Sequence, residues 1–407
     1  MAEESERQRA LDRLGDKAIG LREAGKYAEA ERLQRQILQH TLPIRGLEDP
    51  ATLWAKGQLA STLWHLGRHD EAAREQEHLM AAYKRKFGWD DVGTLGITGH
   101  LVTTYLSQGR YDESKALATE LLPHQDRIYG KDSAQSCVTN EALASICHKK
   151  GNFAEAADKR KRILDSVLSR HEDPMTAASA YGAYGQTLLE QGRLDDSKHN
   201  LVQAVELSKA AVGSERPKAL DYQSTLASLH FTMGEFDAAV RIGSQVLRNR
   251  EKSLGEGHHK TILSMSDQAA SLLAAGQRDE SKALIDRAVK LAKEHLGTFD
   301  PDRSSVLSNA AAMYRGLGLY SLACELSFES YDSARRVKGD DSPETLSAMM
   351  EYARCCILAG IPQAGRKSMK LCVEHTKRKY GPDHPLTMAR AQELADTQEQ
   401  CGKSGDW

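Results

Sequence analysis

The chain has 407 residues, of which 28% are charged and 40% hydrophobic, with a formal net charge of −2 at pH 7. So balanced a charge gives no electrostatic basis for binding nucleic acid or an anionic membrane surface. No apolar run approaches the roughly 18 residues that a membrane-spanning helix needs, and the polar amino terminus lacks the hydrophobic segment of a secretory signal. The seven cysteines are odd in number and show no Cys-x-x-Cys spacing, which indicates reduced thiols. Together these features predict a cytoplasmic protein.

One short phrase recurs along the whole chain: a glycine, then an aromatic or aliphatic residue two positions later, then acidic and small residues. The glycines that open it are Gly25, Gly67, Gly109, Gly151, Gly192, Gly234, Gly276, Gly318, Gly360 and Gly402. Their spacing is 42 residues at eight steps and 41 at one, between Gly151 and Gly192. A period held from end to end predicts a repeat array, and hence one elongated domain over residues 1–407.

Each repeat carries a helical pattern on either side of this turn glycine. In the third repeat Leu101, Val102 and Tyr105 stand eight, seven and four residues before Gly109, which is one stripe of an α-helix. The residue seven before the glycine is small in every repeat, as is the residue five after it, such as Ser114. Acidic residues follow the glycine, where the dipole of a second helix favours them. The glycine itself ends the first helix and reverses the chain, which requires a positive φ or a close backbone approach.

Further glycines end the second helices, and prolines open many of the next first helices. We therefore expect nine helix pairs and a final helix over roughly residues 384–401. Pro123 falls inside the second helix of the third repeat and predicts a kink or an early end at Leu122. The adjacent Cys355 and Cys356 are not expected to face the core together.

This pattern resembles the tetratricopeptide repeat, which has a small residue at the eighth position of its first helix, another in its second helix and a Gly-x-aromatic turn between them. The 42-residue version, with a Gly-x-x-x-Pro-x-Thr phrase between repeats, is similar to the kinesin light chain type, most plainly over residues 339–346 and 381–388. The resemblance covers essentially the whole chain. It implies an all-α fold, a right-handed α-solenoid of about nine helical hairpins with a carboxy-terminal capping helix.

In such arrays the first helix of each pair lines the concave face, so the resemblance implies a ligand groove along these helices. The candidate ligand-binding residues at the groove positions are Trp54, Gln58, Trp64, His65, His100, His148, Phe231, Asp267, Asn309 and Arg315. Light-chain-type grooves are rich in first-helix asparagines, and Asn309 matches that feature. Tryptophans facing a concavity are usual binding anchors; the alternative is that Trp54 and Trp64 fill the gap between the first two repeats.

The position ten residues before the turn glycine is occupied by glycine or serine in most repeats. These residues are Gly15, Gly57, Gly99, Gly182, Ser224, Ser266 and Ser308. Glycine inside a helix costs about 0.5–1 kcal/mol relative to alanine. Its repetition at one position indicates space kept for a ligand, and close packing of adjacent first helices is the alternative explanation.

The sequence predicts a protein–protein interaction scaffold that holds an extended peptide, or a segment of a partner, in the concave groove. The alternative is a small-molecule-binding protein or an enzyme with an enclosed pocket near Trp54, Trp64, His100 and His148. His65, His100 and His148 could bind a metal or act as a general base, although a repeat spacing of about 10 Å makes three ligands on one ion difficult. The sequence lacks a phosphate-binding loop, a nucleophile elbow and a His-Glu-x-x-His motif. It therefore favours a binding protein over an enzyme and predicts no cofactor and no metal.

Overall fold

The computed structural model describes residues 2–404, without the side chains of residues 2–10, 12 and 399–404. Every regular element in this part of the chain is an α-helix. In chain order the helices are α1 (Ala2–Glu23), α2 (Tyr27–Arg45), α3 (Pro50–His65), α4 (His69–Phe87), α5 (Val92–Ser107), α6 (Tyr111–Tyr129), α7 (Ala134–Lys149), α8 (Phe153–Ser169), α9 (Pro174–Glu190), α10 (Leu194–Val212), α11 (Pro217–Thr232), α12 (Phe236–Leu254), α13 (His259–Ala274), α14 (Arg278–His295), α15 (Pro301–Gly316), α16 (Tyr320–Lys338), α17 (Pro343–Leu358), α18 (Pro362–Tyr380) and α19 (Pro385–Ser404). Odd numbers are the first helices of the pairs and even numbers the second ones, so the predicted all-α array of nine pairs and a final helix is confirmed.

The helices form two compact units, residues 1–197 and 198–407, and the boundary between them falls within α10. Inside each unit, helices that follow one another in the chain pack side by side. In the second unit α13 also packs on α11 and on α15, and α15 packs on α17. The first helices α11, α13, α15 and α17 therefore form a continuous layer in the second unit, as stacked helical repeats do. A single domain over residues 1–407 stays a prediction.

The turn within each pair is closed by the predicted glycine in the left-handed backbone region. Gly109 has φ +74°. Its N–H donates to the carbonyl of Leu106 at 3.1 Å, and the N–H of Arg110 donates to the carbonyl of Tyr105 at 2.9 Å. These bonds satisfy carbonyls that the end of α5 would otherwise leave open. The eight other turn glycines that precede α19 also have positive φ, which confirms the role predicted for them.

The small residues on either side of the turn meet across the hairpin. In three repeats the later one is a buried serine whose hydroxyl donates to the backbone carbonyl of the earlier one at 2.7–2.8 Å. The pairs are Ser114 with Val102, Ser197 with Gly185 and Ser281 with Ala269. A hydroxyl can reach a carbonyl inside a helix only where the two backbones lie close. The small side chains at these positions therefore set the distance between the helices of a pair.

The helix that contains Pro123 does not end at Leu122 as expected, because α6 continues to Tyr129. Pro123 is exposed, so water can meet the carbonyl left without its helical partner. The turns on both sides are held by buried residues: Leu121 is inaccessible to solvent, and Gln125 accepts a 2.7 Å hydrogen bond from the hydroxyl of Thr139. Packing of the helix therefore outweighs the local preference of proline.

Two smaller expectations are corrected by the structure. Cys355 and Cys356 are both buried. Cys355 lies beside Glu351, and Cys356 lies beside Cys324 on α16. Helix α17 is therefore covered on the faces that carry both cysteines. Gly402 lies inside α19 and does not close a turn.

Candidate functional site

Three predicted ligand-binding residues, Phe231, Asp267 and Asn309, line one cavity of about 560 Å³ in the second unit. They come from α11, α13 and α15, the first helices of three successive repeats. Phe231 stands at one end, edge-on to Phe236 with ring centroids 5.7 Å apart, and 39% of its surface stays exposed. Small and hydroxylated side chains make up much of the wall between these residues. They include Ser224, Ala227, Ser228, Ser264, Ala270, Ser271 and Ala274.

A second cavity, of about 760 Å³, adjoins the first and shares Asn309 and Ala312 with it. It extends from α15 to α17, and Phe299 lies on its wall. The amide nitrogen of Asn309 donates to the hydroxyl of Ser266 at 3.2 Å, which ties α15 to α13 at the point where the two cavities meet. The two cavities adjoin one another along four first helices, and we call them together the unit-2 groove.

Asp267 is the acidic residue of the unit-2 groove whose pKa is shifted most. Its side chain is exposed to solvent, but it lies in the wall of the cavity, where neighbouring protein reduces its hydration. Desolvation raises the pKa of its carboxyl to about 6, against the opposing influence of the nearby Arg250 cation. Arg250 does not pair with it, because its guanidinium donates to Asp221 at 2.8 Å and to the hydroxyl of Ser264 at 2.6 Å. Within the described residues the Asp267 carboxylate has neither an ion-pair partner nor a side-chain hydrogen bond.

The charges that line the second cavity are paired. Lys338 and Glu344 are joined at 2.7 Å. Arg354 contacts Glu393 at 2.6 Å and Glu351 at 3.4 Å. Glu351 also receives Arg315, at 2.8 Å. Arg315, a predicted ligand-binding residue, is therefore part of an ion-pair chain that links α15, α17 and α19, and it is absent from the walls of both cavities.

The predicted site residues of the first unit lie in a different setting. Trp54 is 46% exposed and rests beside Gly15, and Gln58 accepts a 2.6 Å hydrogen bond from Arg22. The cavity between them has a volume of about 10 Å³, roughly the space of one water molecule. The side chain of His100 is exposed to solvent. Desolvation by the neighbouring protein, together with the charge of Arg22, lowers the pKa of its imidazole.

The remaining aromatic candidates of the first unit pack against turns. Trp64 lies against a buried cluster that includes Leu63. His65 stacks on Tyr27 with centroids 4.7 Å apart, and His148 meets Phe153 edge-on at 5.2 Å. These contacts tie each side chain to the start of a second helix.

The structure gives no support to the alternative small-molecule or catalytic pocket of the first unit. Trp64 faces packed aliphatic side chains where an enclosed pocket beneath it would be needed. His65, His100 and His148 do not converge, and among the described residues no group of three or more His, Cys, Asp or Glu is arranged to hold a metal ion.

The glycines ten residues before the turn do not owe their size to close helix packing. A Cβ atom would meet nothing within 4 Å at Gly57, and only ordinary contacts at 3.9 Å at Gly15 and Gly99. The packing explanation is therefore wrong at these three positions.

Sequence reasoning missed the part of the groove that second helices contribute. Gly243 and Val246 of α12 form the floor of the first cavity, and Ser330 and Ser333 of α16 that of the second. Gly243 leaves room for Gln268, whose Oε1 atom would lie 2.2 Å from an added Cβ. A glycine in the middle of a second helix was the available signal for this contact.

Fold and groove together define an α-helical repeat protein with cavities along its first helices. The family model of the tetratricopeptide repeat matches residues 13–85, 176–252 and 226–294. The chain carries tetratricopeptide repeats in these segments, as the sequence predicted, and its 42-residue repeats are similar to those of kinesin light chains. This fold serves protein–protein interaction through extended concave surfaces.

Curated relatives share only part of their length with this chain. A clustered mitochondria protein homolog from Culex quinquefasciatus is 26% identical over 293 residues, which is 66% of this chain and 21% of that protein. The homolog from Emericella nidulans is 24% identical over 213 residues, 51% of this chain and 17% of that protein. The chain thus spans about a fifth of the length of the curated relatives it matches.

Solved structures with the same fold cover most of the chain. A Rap protein complexed with Competence and Sporulation Factor has a TM-score of 0.56 at 12% identity, over 85% of this chain and 99% of that chain. The apo form of the quorum sensor NprR from B. thuringiensis has a TM-score of 0.51 at 12% identity, over 85% of this chain and 98% of that chain. At this level of identity the likeness concerns the fold alone. Within the described part of the chain, no helix combines the length and apolarity that crossing a membrane would need.

Proposed function

We propose that the protein binds an extended segment of a partner protein in the unit-2 groove. The observation that carries this proposal is that two cavities, of about 560 and 760 Å³, adjoin at the shared residues Asn309 and Ala312. A groove that runs past several repeats suits an extended chain, whereas a single closed pocket suits a compact small molecule.

The length of the unit-2 groove fits a short peptide. Adjacent helices lie about 10 Å apart, so the three steps from α11 to α17 span about 30 Å. An extended chain advances about 3.3 Å per residue, and roughly nine residues would fill this distance.

The chemistry of the groove walls also suits a peptide. Phe231 and Phe299 supply partly exposed aromatic surface, one to each cavity. Between them the serine hydroxyls and the amide of Asn309 supply hydrogen-bonding groups for a peptide backbone. Aromatic anchors with adaptable polar groups around them are the usual composition of a recognition surface.

The experiment is a selection of displayed random peptides, about twelve residues long, on the full chain, followed by fluorescence anisotropy with the recovered sequences. Phe231→Ala and Asn309→Ala should each weaken binding about tenfold, because each removes a contact with the bound peptide. Phe87→Ala is the matched control: this phenylalanine is 44% exposed, at the end of α4 in the first unit. The proposal would be refuted if the recovered peptides bound both groove variants as tightly as the wild type, or if the selection recovered no binding peptide.

A further inference from the structure

We infer that the partner segment carries a lysine or arginine whose charged group reaches Asp267. This inference rests on the proposed function and specifies the kind of partner that the unit-2 groove takes.

The first argument is the isolation of the Asp267 carboxylate. It lies in the wall of the 560 Å³ cavity, and the described residues give it no ion-pair or side-chain hydrogen-bond partner. The nearby Arg250 cation is held by Asp221 and Ser264. An anion kept in a concavity without a partner is costly, and an incoming cation would remove that cost.

The second argument compares Asp267 with its counterparts in the following repeats, each nine residues before a glycine of the 42-residue series. Asn309 is bonded to Ser266 at 3.2 Å, Glu351 to Arg315 at 2.8 Å, and Glu393 to Arg354 at 2.6 Å. Each of these side chains is tied to the preceding first helix. Asp267 is the member of this series that makes no such contact, so stacking of the repeats does not account for its charge.

The third argument is the charge balance of the groove. The four charged residues on the walls of the second cavity are Lys338, Glu344, Glu351 and Arg354, and each has an opposite charge within 3.4 Å. Asp267 is the charged residue on the wall of the first cavity. The cations Arg250 and Lys260 both contact Asp221 and not Asp267, so Asp267 is the groove acid without a contacting cation and is complementary to a basic side chain.

The surroundings of Asp267 also suit the stem of such a side chain. Phe231, Val246, Leu273 and Met313 line the same cavity. Lysine and arginine bury their methylene groups along apolar surface while the charged end stays near polar partners. The aromatic face of Phe231 adds a favourable site for a cation passing over it.

The test repeats the peptide selection on the wild-type chain and on Asp267→Asn, and compares lysine and arginine frequencies in the recovered peptides. We expect enrichment of both residues on the wild type and loss of that enrichment on the variant. Asp279→Asn is the matched control, since Asp279 is exposed at the start of α14 and outside both cavities. Asp267→Glu retains the charge and should keep the enrichment.

A double-mutant cycle with one recovered peptide completes the test. Replacing its lysine by norleucine, which keeps the stem and removes the charge, should weaken wild-type binding about tenfold and should hardly change binding to Asp267→Asn. Equal losses on both chains, or equal basic content after selection on both, would overturn the inference. If Phe231→Ala still weakens binding in that case, the proposed groove stands and only its preference for a basic residue is wrong. Far-ultraviolet circular dichroism of each variant confirms that the helices are retained.

Discussion

Asp267→Asn should make the protein more stable at neutral pH, although it removes a residue from the proposed binding site. The side chain keeps its size and its helix propensity changes little. What changes is the ionised carboxylate, which the cavity of the unit-2 groove desolvates without giving it a partner. Removal of that charge removes an unfavourable contribution to folding.

The magnitude follows from the pKa of the Asp267 carboxyl, which burial raises from 3.8 to about 6 in the folded protein. At about 1.4 kcal/mol per pH unit, this difference corresponds to a ceiling of roughly 3 kcal/mol. Because part of the side chain contacts solvent, water screens the carboxylate, and about 1 kcal/mol is the expected gain.

The direction of the pH dependence follows from the same shift. A carboxyl with a raised folded-state pKa binds its proton more tightly in the folded protein, so its ionisation destabilises the fold as the pH rises from about 4 to above 6. Near pH 4 most of this penalty is already gone, and below about pH 3 the carboxyl is mostly protonated in both states and the penalty vanishes. The advantage of Asp267→Asn should therefore be full at pH 7.5 and nearly absent at pH 4.

The assay is urea denaturation of the full chain at both pH values, with amide hydrogen exchange in α13 as a local measure, because repeat arrays need not unfold in one step. Asp279→Asn, on the exposed start of α14, should show no comparable gain that depends on pH in this way. A destabilised Asp267→Asn at pH 7.5, or a gain of equal size at pH 4, would show that the carboxylate has a stabilising partner and would refute the reasoning.

Three further substitutions or reactions test the packing that supports the groove. Gly243→Ala should lower the free energy of unfolding, measured by urea denaturation, by about 1–3 kcal/mol, because the added Cβ would lie 2.2 Å from Oε1 of the buried Gln268. Gly57→Ala has nothing within 4 Å of its added Cβ and should instead raise the free energy of unfolding by about 0.5–1 kcal/mol. A change of the same sign for both variants would contradict this account. Tyr314→Phe removes a 2.6 Å hydrogen bond to a carboxylate of α14 and should lower the free energy of unfolding by about 1–2 kcal/mol, whereas an unchanged value would mean that the bond contributes nothing. Burial raises the pKa of the Cys324 thiol to about 12. Iodoacetamide at pH 8 should therefore alkylate Cys324 slowly in the native chain and rapidly after unfolding, as measured by peptide mass spectrometry. Equal alkylation rates in the two states would exclude a protected thiol.

The sequence was sufficient to predict the helix pairs because their determinants are local and repeated. The left-handed backbone of each turn favours a glycine such as Gly109. Small residues such as Val102 and Ser114 set the distance between paired helices. Since the same pattern occurs in each repeat, a deviation in one copy does not obscure it. The predicted end of the helix at Leu122 was wrong because the effect of Pro123 depends on packing against other helices. The sequence of a single helix does not contain that information.

The site was predicted only in part, for a related reason. Position within a repeat identified Phe231, Asp267 and Asn309, because their distance from the turn glycine fixes the face of the helix. It could not separate them from Trp64 and His148, which share the position of Phe231 but pack against nearby turns. Whether a residue on the inner face meets a cavity depends on the volumes of side chains from other helices.

Two classes of position in the repeat therefore carry different information. Residues four, seven and eight before the turn glycine are buried together, as Leu101, Val102 and Tyr105 are, and a change there alters the stacking of the helices. The position ten before it has little packing constraint in some repeats, since an added Cβ at Gly57 meets nothing within 4 Å. Groove chemistry can thus change from repeat to repeat while the scaffold stays the same. Asp267, which no helix contact requires, is the residue of the groove that the proposed basic side chain would contact.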